Sequence, residues 1–211
     1  MIDLYTWTTP NGRKISILLE ELGVPYTVKA VNIGKDEQFK PAFLAVSPNN
    51  KIPAIVDHDA EGGDLSIFES GAILVYLADT YGHTFLPASG PGRWKALEWL
   101  AWQIGGLGPM LGQLSYFLRA TDRVQSTIDR FAVESTRLLG VMNKRLTEAD
   151  YLGGDYSIAD MAAYPWVAAM APLMKNNPLS PGWDEMTGIH RWLEAIAARP
   201  AVQRGMAVPQ V

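Results

Sequence analysis

The chain has 211 residues and no cysteine. A structural disulfide, a thiolate metal site and a cysteine nucleophile are therefore excluded. The absence is compatible with a reducing, cytoplasmic setting. Histidine is nearly as scarce. His58, His83 and His190 are isolated in sequence and lack the spacing of metal ligands, so surface or capping roles are expected and no metal is called for. Long apolar runs are lacking too. The longest, "MAAYPWVAAMAPLM" (Met161 to Met174), is too short to span a bilayer and holds two prolines. It reads as a buried helix with a kink or an end near Pro172. The opening "MIDLYTWTT" has no basic segment followed by a cleavage site, so no signal peptide is read. Positive charge is not in excess. The net charge is −4, and nothing points to nucleic acid or an anionic membrane as a partner.

What is present is a chain that folds. Hydrophobic residues are 48% and charged residues 19%, the balance of a globular protein with a real core. Residues 1–83 carry 6 Lys/Arg against 11 Asp/Glu, and residues 84–211 carry 12 against 11. The later cations are spread out, as on a solvated mixed surface.

Period decides the elements. Ile2 to Trp7 alternates as a strand. Ile15, Leu18, Leu19 and Leu22 fall at helical spacing, and Gly23 stops the run. "YTVKAVNI" (Tyr26 to Ile33) is a second strand, and Phe39, Phe43 and Leu44 suggest a short helix. "SPNNKIP" is a loop. "AIVD" and "LSIFE" are strands joined by "HDAEGGD", a hairpin signal. A helix follows from Ser70, with Ile73, Leu74 and Leu77 inward and Gly82 at its end. The order is β-α-β-α-β-β-α, and a hairpin after a βαβ unit implies a mixed sheet. Residues 1–83 thus form one α/β domain. "HTFLPASGPGR" is rich in Pro, Gly and Ser, and residues 84–92 read as a linker. From 93 to 211 every pattern is helical. Trp94, Leu97, Ala101 and Ile104 make one apolar stripe. Ile128, Phe131, Ala132, Ser135, Leu138, Leu139, Met142 and Leu146 make another.

Four stretches invite a chemical reading. "IGGLGPMLG" (Ile104 to Gly112) lacks the preceding strand of a phosphate-binding loop, so close helix packing or a kink is expected. "YSIADM" places Ser157 three residues before Asp160, a capping box that is structural rather than catalytic. "FESGAI" has two readings. Ser70 caps a helix, or the helix N-terminus binds a carboxylate while Glu69 takes an ammonium, the pair of groups of an α-amino acid. "NNKIPAI" puts Ile-Pro before a strand, which invites a cis peptide. The backbone of Ile52 could then pair with an extended peptide, with the cation of Lys51 beside it.

Together these stretches resemble a glutathione transferase. "KIPAI" is similar to the family's proline loop, "FESGAI" to its Glu-Ser helix start and "YSIAD" to the capping motif of its second domain. "TPNGRKI", "SPNNKIPAIVD", "FESGAILVYLA" and "WQIGGLGPMLGQ" resemble the bacterial Nu class, whose members act as glutathione-dependent disulfide reductases. The similarity spans nearly the whole chain. It implies a fold that is α/β plus all-α, a thioredoxin-like domain followed by a helical bundle, and a homodimer.

The resemblance also implies how glutathione, the cosubstrate, would lie. Its γ-glutamyl carboxylate goes to the helix opened by Ser70 and its amino group to Glu69. Its cysteinyl backbone pairs with Ile52 before a cis Pro53, and its glycyl carboxylate meets Lys51 or Gln38. The thiol points toward Thr9 and Asn11, which with first-helix backbone N–H groups would favour the thiolate. Arg130, in the long helix of the second domain and off its apolar stripe, matches a further contact. Other classes use a Tyr or Ser near the sulfur. Here Tyr5 reads as core or scaffold, and Ser16 is two turns too far along. The expected reaction is reduction of a small disulfide. The alternative is conjugation of an electrophile or reduction of a hydroperoxide, with Trp7, Trp102, Tyr116 and Phe117 lining a pocket or else serving as core. A third possibility is a non-catalytic binder on the same scaffold.

Overall fold

Ile2, Leu4 and Thr6 are buried while Asp3 and Tyr5 are half-covered, the period-two burial of a strand with one face on a core. In the computed structural model this strand, β1 (Ile2–Thr6), is central in a four-stranded sheet of order β2-β1-β3-β4. All residues are described except 176, 178, 181 and 211. β2 (Tyr26–Ala30) runs parallel to β1, while β3 (Ala54–Asp57) is antiparallel to β1 and β4 (Leu65–Phe68) is antiparallel to β3. The expected mixed sheet is present. β2 is shorter than the apolar run suggests, because its register with β1 ends at Thr6 opposite Ala30. Asn32 then caps a single 3-10 turn over Ile33–Lys35.

Helix α1 (Pro10–Leu22) buries Ile15, Ile17, Leu18 and Leu19 completely. Each such side chain contributes roughly 1.5–3 kcal/mol relative to exposure. Gly23 closes it in the left-handed conformation, with φ 67°. Gly12 is required for a different reason. A Cβ there would lie 2.6 Å from the Trp7 carbonyl oxygen, so the turn from β1 into α1 admits no side chain. The expected second helix is one turn, α2 (Pro41–Leu44). Its Phe43 is buried, while Phe39 and Leu44 face solvent. Helix α3 (Ser70–Thr80) buries Ile73, Leu74, Leu77 and Ala78. It is tied to the sheet by Asp57, which accepts from Tyr76 Oη at 2.8 Å and Tyr81 Oη at 3.1 Å.

Two compact units emerge, Met1–Ala88 with Ala197–Val211, and Ser89–Ile196. The last helix, α9 (Pro200–Met206), therefore belongs with the α/β elements and packs on α1. Its Gly205 carbonyl accepts from the Ser16 hydroxyl at 2.7 Å, which gives Ser16 a structural task in α1. A boundary read from secondary structure alone assigns 93–211 to one domain and does not detect this return.

The second unit is helical, with α4 (Pro91–Trp102), α5 (Gly108–Arg119), α6 (Gln125–Glu148), α7 (Ile158–Met174) and α8 (Thr187–Ala197). A π-helical segment, Gln103–Leu107, joins α4 to α5. In α4 the buried residues are Ala96 and Leu100, while Trp94 is 68% exposed and Ala101 faces solvent. The expected stripe of Trp94, Leu97, Ala101 and Ile104 is thus not the buried face: Trp94 and Ala101 are exposed and Leu97 and Ile104 are half-buried. The rival set Ala96, Leu100, Gln103 and Leu107 faces in, at the same spacing but with less aromatic bulk. The stripe on α6 is as expected except for Phe131, which is half-buried and stacks on Phe117 with ring centroids 5.6 Å apart.

The glycine-rich stretch serves close packing. A Cβ on Gly112 would meet the Trp166 ring at 3.1 Å, and one on Gly108 would meet Gln103 Nε2 at 2.7 Å. Helix α7 is buried along most of its length. It passes through Pro165 and Pro172 and ends at Met174, two residues beyond the proline expected to stop or bend it. Its start is the capping box. Ser157 Oγ accepts from the Ala159 N–H, and Asp160 accepts from the Ser157 N–H and hydroxyl, the Leu152 N–H and Trp192 Nε1. Burial pushes the Asp160 carboxyl up to about 6, against the pull of those donors.

Candidate active site

The start of α3 has an unusual backbone. Glu69, its N-cap, has φ 72° and ψ 113°, a conformation that a residue with a Cβ rarely adopts. Such strain is held by the surroundings and gathers at functional positions. Here it turns the chain sharply from β4 into α3. Ser70 is the first residue of the helix, and Glu69 rather than Ser70 occupies the cap position, without a side-chain cap bond. The expectation that Ser70 caps the helix is corrected accordingly. The Ser70 hydroxyl is buried and accepts from Lys14 Nζ at 3.4 Å.

Facing this turn is the loop before β3. Ser47 is buried, and its hydroxyl donates to the Lys51 carbonyl at 2.8 Å. The Ile52-Pro53 peptide is cis, as expected. Val31, Phe43 and Ala54 form a small core on which Tyr5, Val46 and Ile52 pack, with the Tyr5 and Phe43 rings 6.1 Å apart. Tyr5 is therefore scaffold for the loop, as its place in β1 suggests.

Between turn and loop lies a cavity of about 160 Å³, lined by Asn11, Lys51, Ile52, Pro53, Phe68, Glu69 and Ser70. Six of the nine residues picked from sequence meet there. One wall carries a carboxylate beside a helix N-terminus, and the other carries a cation and a backbone before a strand. An arrangement of that kind holds a zwitterionic end on one side and an extended backbone on the other.

The other three lie elsewhere. Thr9 is the N-cap of α1. Its Oγ1 accepts from the Gly12 N–H at 3.2 Å, which leaves its own proton to donate. Gln38 is half-buried in a 3-10 turn, and its Oε1 is buried without a hydrogen-bond partner among the described residues. Arg130 belongs to the second unit. It is exposed on α6, in an open depression of about 790 Å³ with Met110, Asp129, Phe131 and Glu134. Backbone donors at the start of α1 are fewer than a helix N-terminus normally offers. Pro10 has none, the Thr9 N–H goes to the Trp7 carbonyl at 2.7 Å, and those of Gly12 and Arg13 go to Thr9. The four aromatics are not core. Tyr116 is 64% exposed, and Trp7, Trp102 and Phe117 are half-buried.

Phe68 and Lys14 were missed. Phe68 ends β4 with an exposed ring and gives no signal in sequence. Lys14 does give one, since it stands one helical turn before Leu18 on an apolar face. It is 2% exposed, and burial pulls its amine down to about 7, with the Glu69 carboxylate pulling the other way.

Comparison with known proteins agrees with this picture. Residues 1–79 match the family model "Glutathione S-transferase, N-terminal domain", and residues 109–200 match "Glutathione S-transferase, C-terminal domain". The chain belongs to the glutathione S-transferase family of enzymes, and within it resembles the bacterial Nu class. It is 47% identical to the disulfide-bond oxidoreductase YfcG of Escherichia coli, over all of this chain and 97% of that one. A glutathione transferase from Burkholderia graminis, solved with two glutathione molecules per subunit, is 42% identical. The match covers 99% of this chain and 88% of that one, with a TM-score of 0.92. A glutathione transferase from Pseudomonas putida, solved with one glutathione disulfide per subunit, is 40% identical over 99% and 91% of the two chains, with a TM-score of 0.91.

Proposed function

We propose that the chain is a glutathione-dependent disulfide reductase. The observation that carries this is the cavity that sets Glu69 and Ser70 against Lys51, Ile52 and cis Pro53. At about 160 Å³ it is smaller than a site that encloses a whole ligand, and suits the zwitterionic end of one. In this reading the γ-glutamyl ammonium pairs with Glu69, and the carboxylate sits on Ser70 at the mouth of α3. The cysteinyl backbone pairs with Ile52, and the glycyl carboxylate reaches Lys51 or Gln38. The thiol lies toward Thr9 and Asn11, and Arg130 makes a further contact. Relatives that hold two glutathiones or glutathione disulfide support a site large enough for the product.

The chemistry balances with glutathione as reductant. A glutathione thiolate attacks one sulfur of a small disulfide and expels the other as a thiolate, leaving a mixed disulfide. A second glutathione attacks the glutathione sulfur of that mixed disulfide. Oxidised glutathione forms, and the second substrate thiol leaves with the proton. Thr9 and Asn11 contribute by donating to the thiolate, which raises its population at neutral pH. The name of the E. coli relative favours this reaction over others of the family.

Membership of the glutathione S-transferase family supports a second reading, in which the same thiolate attacks an apolar electrophile or hydroperoxide. Assaying oxidised glutathione formed from a small dialkyl disulfide beside conjugation of a chloro-nitrobenzene separates the two. Faster conjugation than reduction overturns the first reading. A homodimer in a cytoplasmic setting completes the proposal, carried by the family resemblance. No helix among the described residues is long and apolar enough to cross a membrane.

A further inference from the structure

The amine of Lys14 approaches the proposed carboxylate position from inside the protein. Lys14 lies on α1, and its Nζ donates to the Ser70 hydroxyl, 56 residues away, at 3.4 Å. It is not lined up along the cavity wall with Asn11 and Lys51. Its side chain is 2% exposed, so it meets a ligand through Ser70 and not by direct competition with solvent.

We infer that Lys14 is a positioning residue for the carboxylate end of the ligand: it holds the Ser70 hydroxyl from the core side, and occupation of Ser70 by a carboxylate charges it, so that binding takes up a proton. The inference rests on the reading that places the γ-glutamyl end of glutathione at Glu69 and Ser70.

The electrostatics follow from what surrounds the amine. α1 packs against α3, α9 and β1. From the start of α3, Glu69 acts on Lys14 and favours its charged form. Further along α3, Asp79 is engaged with His83 and Tyr76 with Asp57. On the α9 side, Arg199 and Arg204 are engaged with Glu21 and Glu20, seven and six residues further along α1. On β1, Asp3 is engaged with Lys29 and His58. In the empty site burial outweighs Glu69, and the amine titrates at about 7. A carboxylate on the Ser70 hydroxyl adds a negative charge one hydrogen bond away, in a site of low dielectric, and this favours the ammonium. The ligand's own ammonium, paired with Glu69, opposes the change; in this reading the carboxylate prevails because it meets the hydroxyl that Lys14 holds. A fixed cation at this depth would carry a standing desolvation cost, which an amine that charges on binding avoids.

The test is calorimetric titration with S-methylglutathione, whose sulfur cannot ionise. At pH 7.5, in phosphate and in Tris, the apparent binding enthalpy should differ between buffers by the uptake of about half a proton or more, as expected for an amine that titrates near neutrality. Affinity should fall on the order of three- to tenfold between pH 6.5 and pH 8.5. Lys14→Met should abolish the uptake. Lys14→Arg, which stays charged, should bind without uptake and with little change over that pH range. If Lys14→Met does not fold, the wild-type profile and Lys14→Arg decide. Wild type that binds without uptake, or uptake that persists in both variants, overturns this role and leaves the glutathione reading standing. No binding by wild type overturns both.

Discussion

Arg199 and Glu21, 178 residues apart in sequence, meet in a two-pronged ion pair, Nε to Oε1 at 2.6 Å and Nη2 to Oε2 at 2.9 Å. Arg204 and Glu20 form a second pair beside it. The returning C-terminal helix is therefore fastened along the outer half of α1, the helix that carries Asn11 and Lys14 at its other end. The Glu21 side chain is 6% exposed, so this pair is shielded better than a surface bridge and should contribute on the order of 1 kcal/mol or more.

Close approach should matter more than charge at this junction. A Cβ on Gly205 would lie 2.6 Å from Ile17 Cα and 2.7 Å from its N, so one backbone must move. Gly205→Ala is expected to destabilise by roughly 2–4 kcal/mol. For a chain of this size the melting temperature should fall by about 4–12 °C. Scanning calorimetry of Gly205→Ala beside Arg199→Ala checks this. If the alanine variant at 205 melts with wild type, the helix can slide and its packing is looser than the structure shows.

Much of this architecture was legible because burial is periodic. The order of elements along the first domain, the α6 stripe, the capping box and the cis Ile52-Pro53 peptide all follow from local pattern. What was illegible depends on choices that local pattern leaves degenerate. In α4, two stripes share one spacing, and the smaller Ala96 and Leu100 were buried while Trp94 was left outside. The return of residues 197–211 to the first unit is a long-range contact, invisible to any window of sequence. At the site, Glu69 and Lys51 were readable by charge and position, and six residues converge on one cavity. Lys14 stands in register with Leu18 on the apolar face of α1, but a lysine beside an apolar run is normally a solvated edge, and it takes the fold to show that this one is turned inward.

Asp160 gives a prediction with a sign. Its folded carboxyl titrates at about 6, above its ordinary value of 3.8, so between those values the folded protein binds more protons than the unfolded one. The stability this supplies is fully present below about pH 4 and is lost as pH rises through 6, by an amount on the order of 3 kcal/mol. Asp160→Asn keeps the shape but presents an NH₂ to groups that are themselves donors. It should destabilise at every pH, with a wider gap from wild type at pH 4 than at pH 7. Denaturant unfolding of both proteins at the two pH values measures the gap. A gap that does not narrow as pH rises would show that the carboxylate is already ionised at pH 4.

Glu69 tests the ammonium contact. Its carboxylate lines the cavity from the strained turn, and Gln is of the same size with no charge. Glu69→Gln should weaken glutathione binding by on the order of 1–3 kcal/mol, the range for a charge-assisted bond. Gln has no better access to positive φ than Glu, so stability should change little. Calorimetry that finds wild-type affinity in the variant would remove Glu69 from the ligand.

The remaining prediction concerns what holds the sulfur. The first-turn N–H groups of Thr9, Gly12 and Arg13 are engaged, so the donors that this reading brings to the sulfur are side chains, the Thr9 hydroxyl and the Asn11 amide. Each should contribute one charge-assisted hydrogen bond to a bound thiolate, so Asn11→Ala should slow turnover by roughly tenfold to a few hundredfold. Thr9 has two tasks, because its oxygen also caps α1. Thr9→Ala should therefore lose both turnover and about 1 kcal/mol of stability, while Thr9→Ser keeps the cap and the donor and should restore both. Tyr5→Phe should matter less than either, since the Tyr5 ring packs on Phe43 as scaffold. The deciding measurement is the pKa of enzyme-bound glutathione, followed by thiolate absorbance in wild type and in each variant. It should rise in Thr9→Ala and in Asn11→Ala, and stay near wild type in Thr9→Ser and in Tyr5→Phe. A solution-like thiol pKa in Tyr5→Phe alone would move the sulfur to the tyrosine and take Thr9 and Asn11 out of the chemistry.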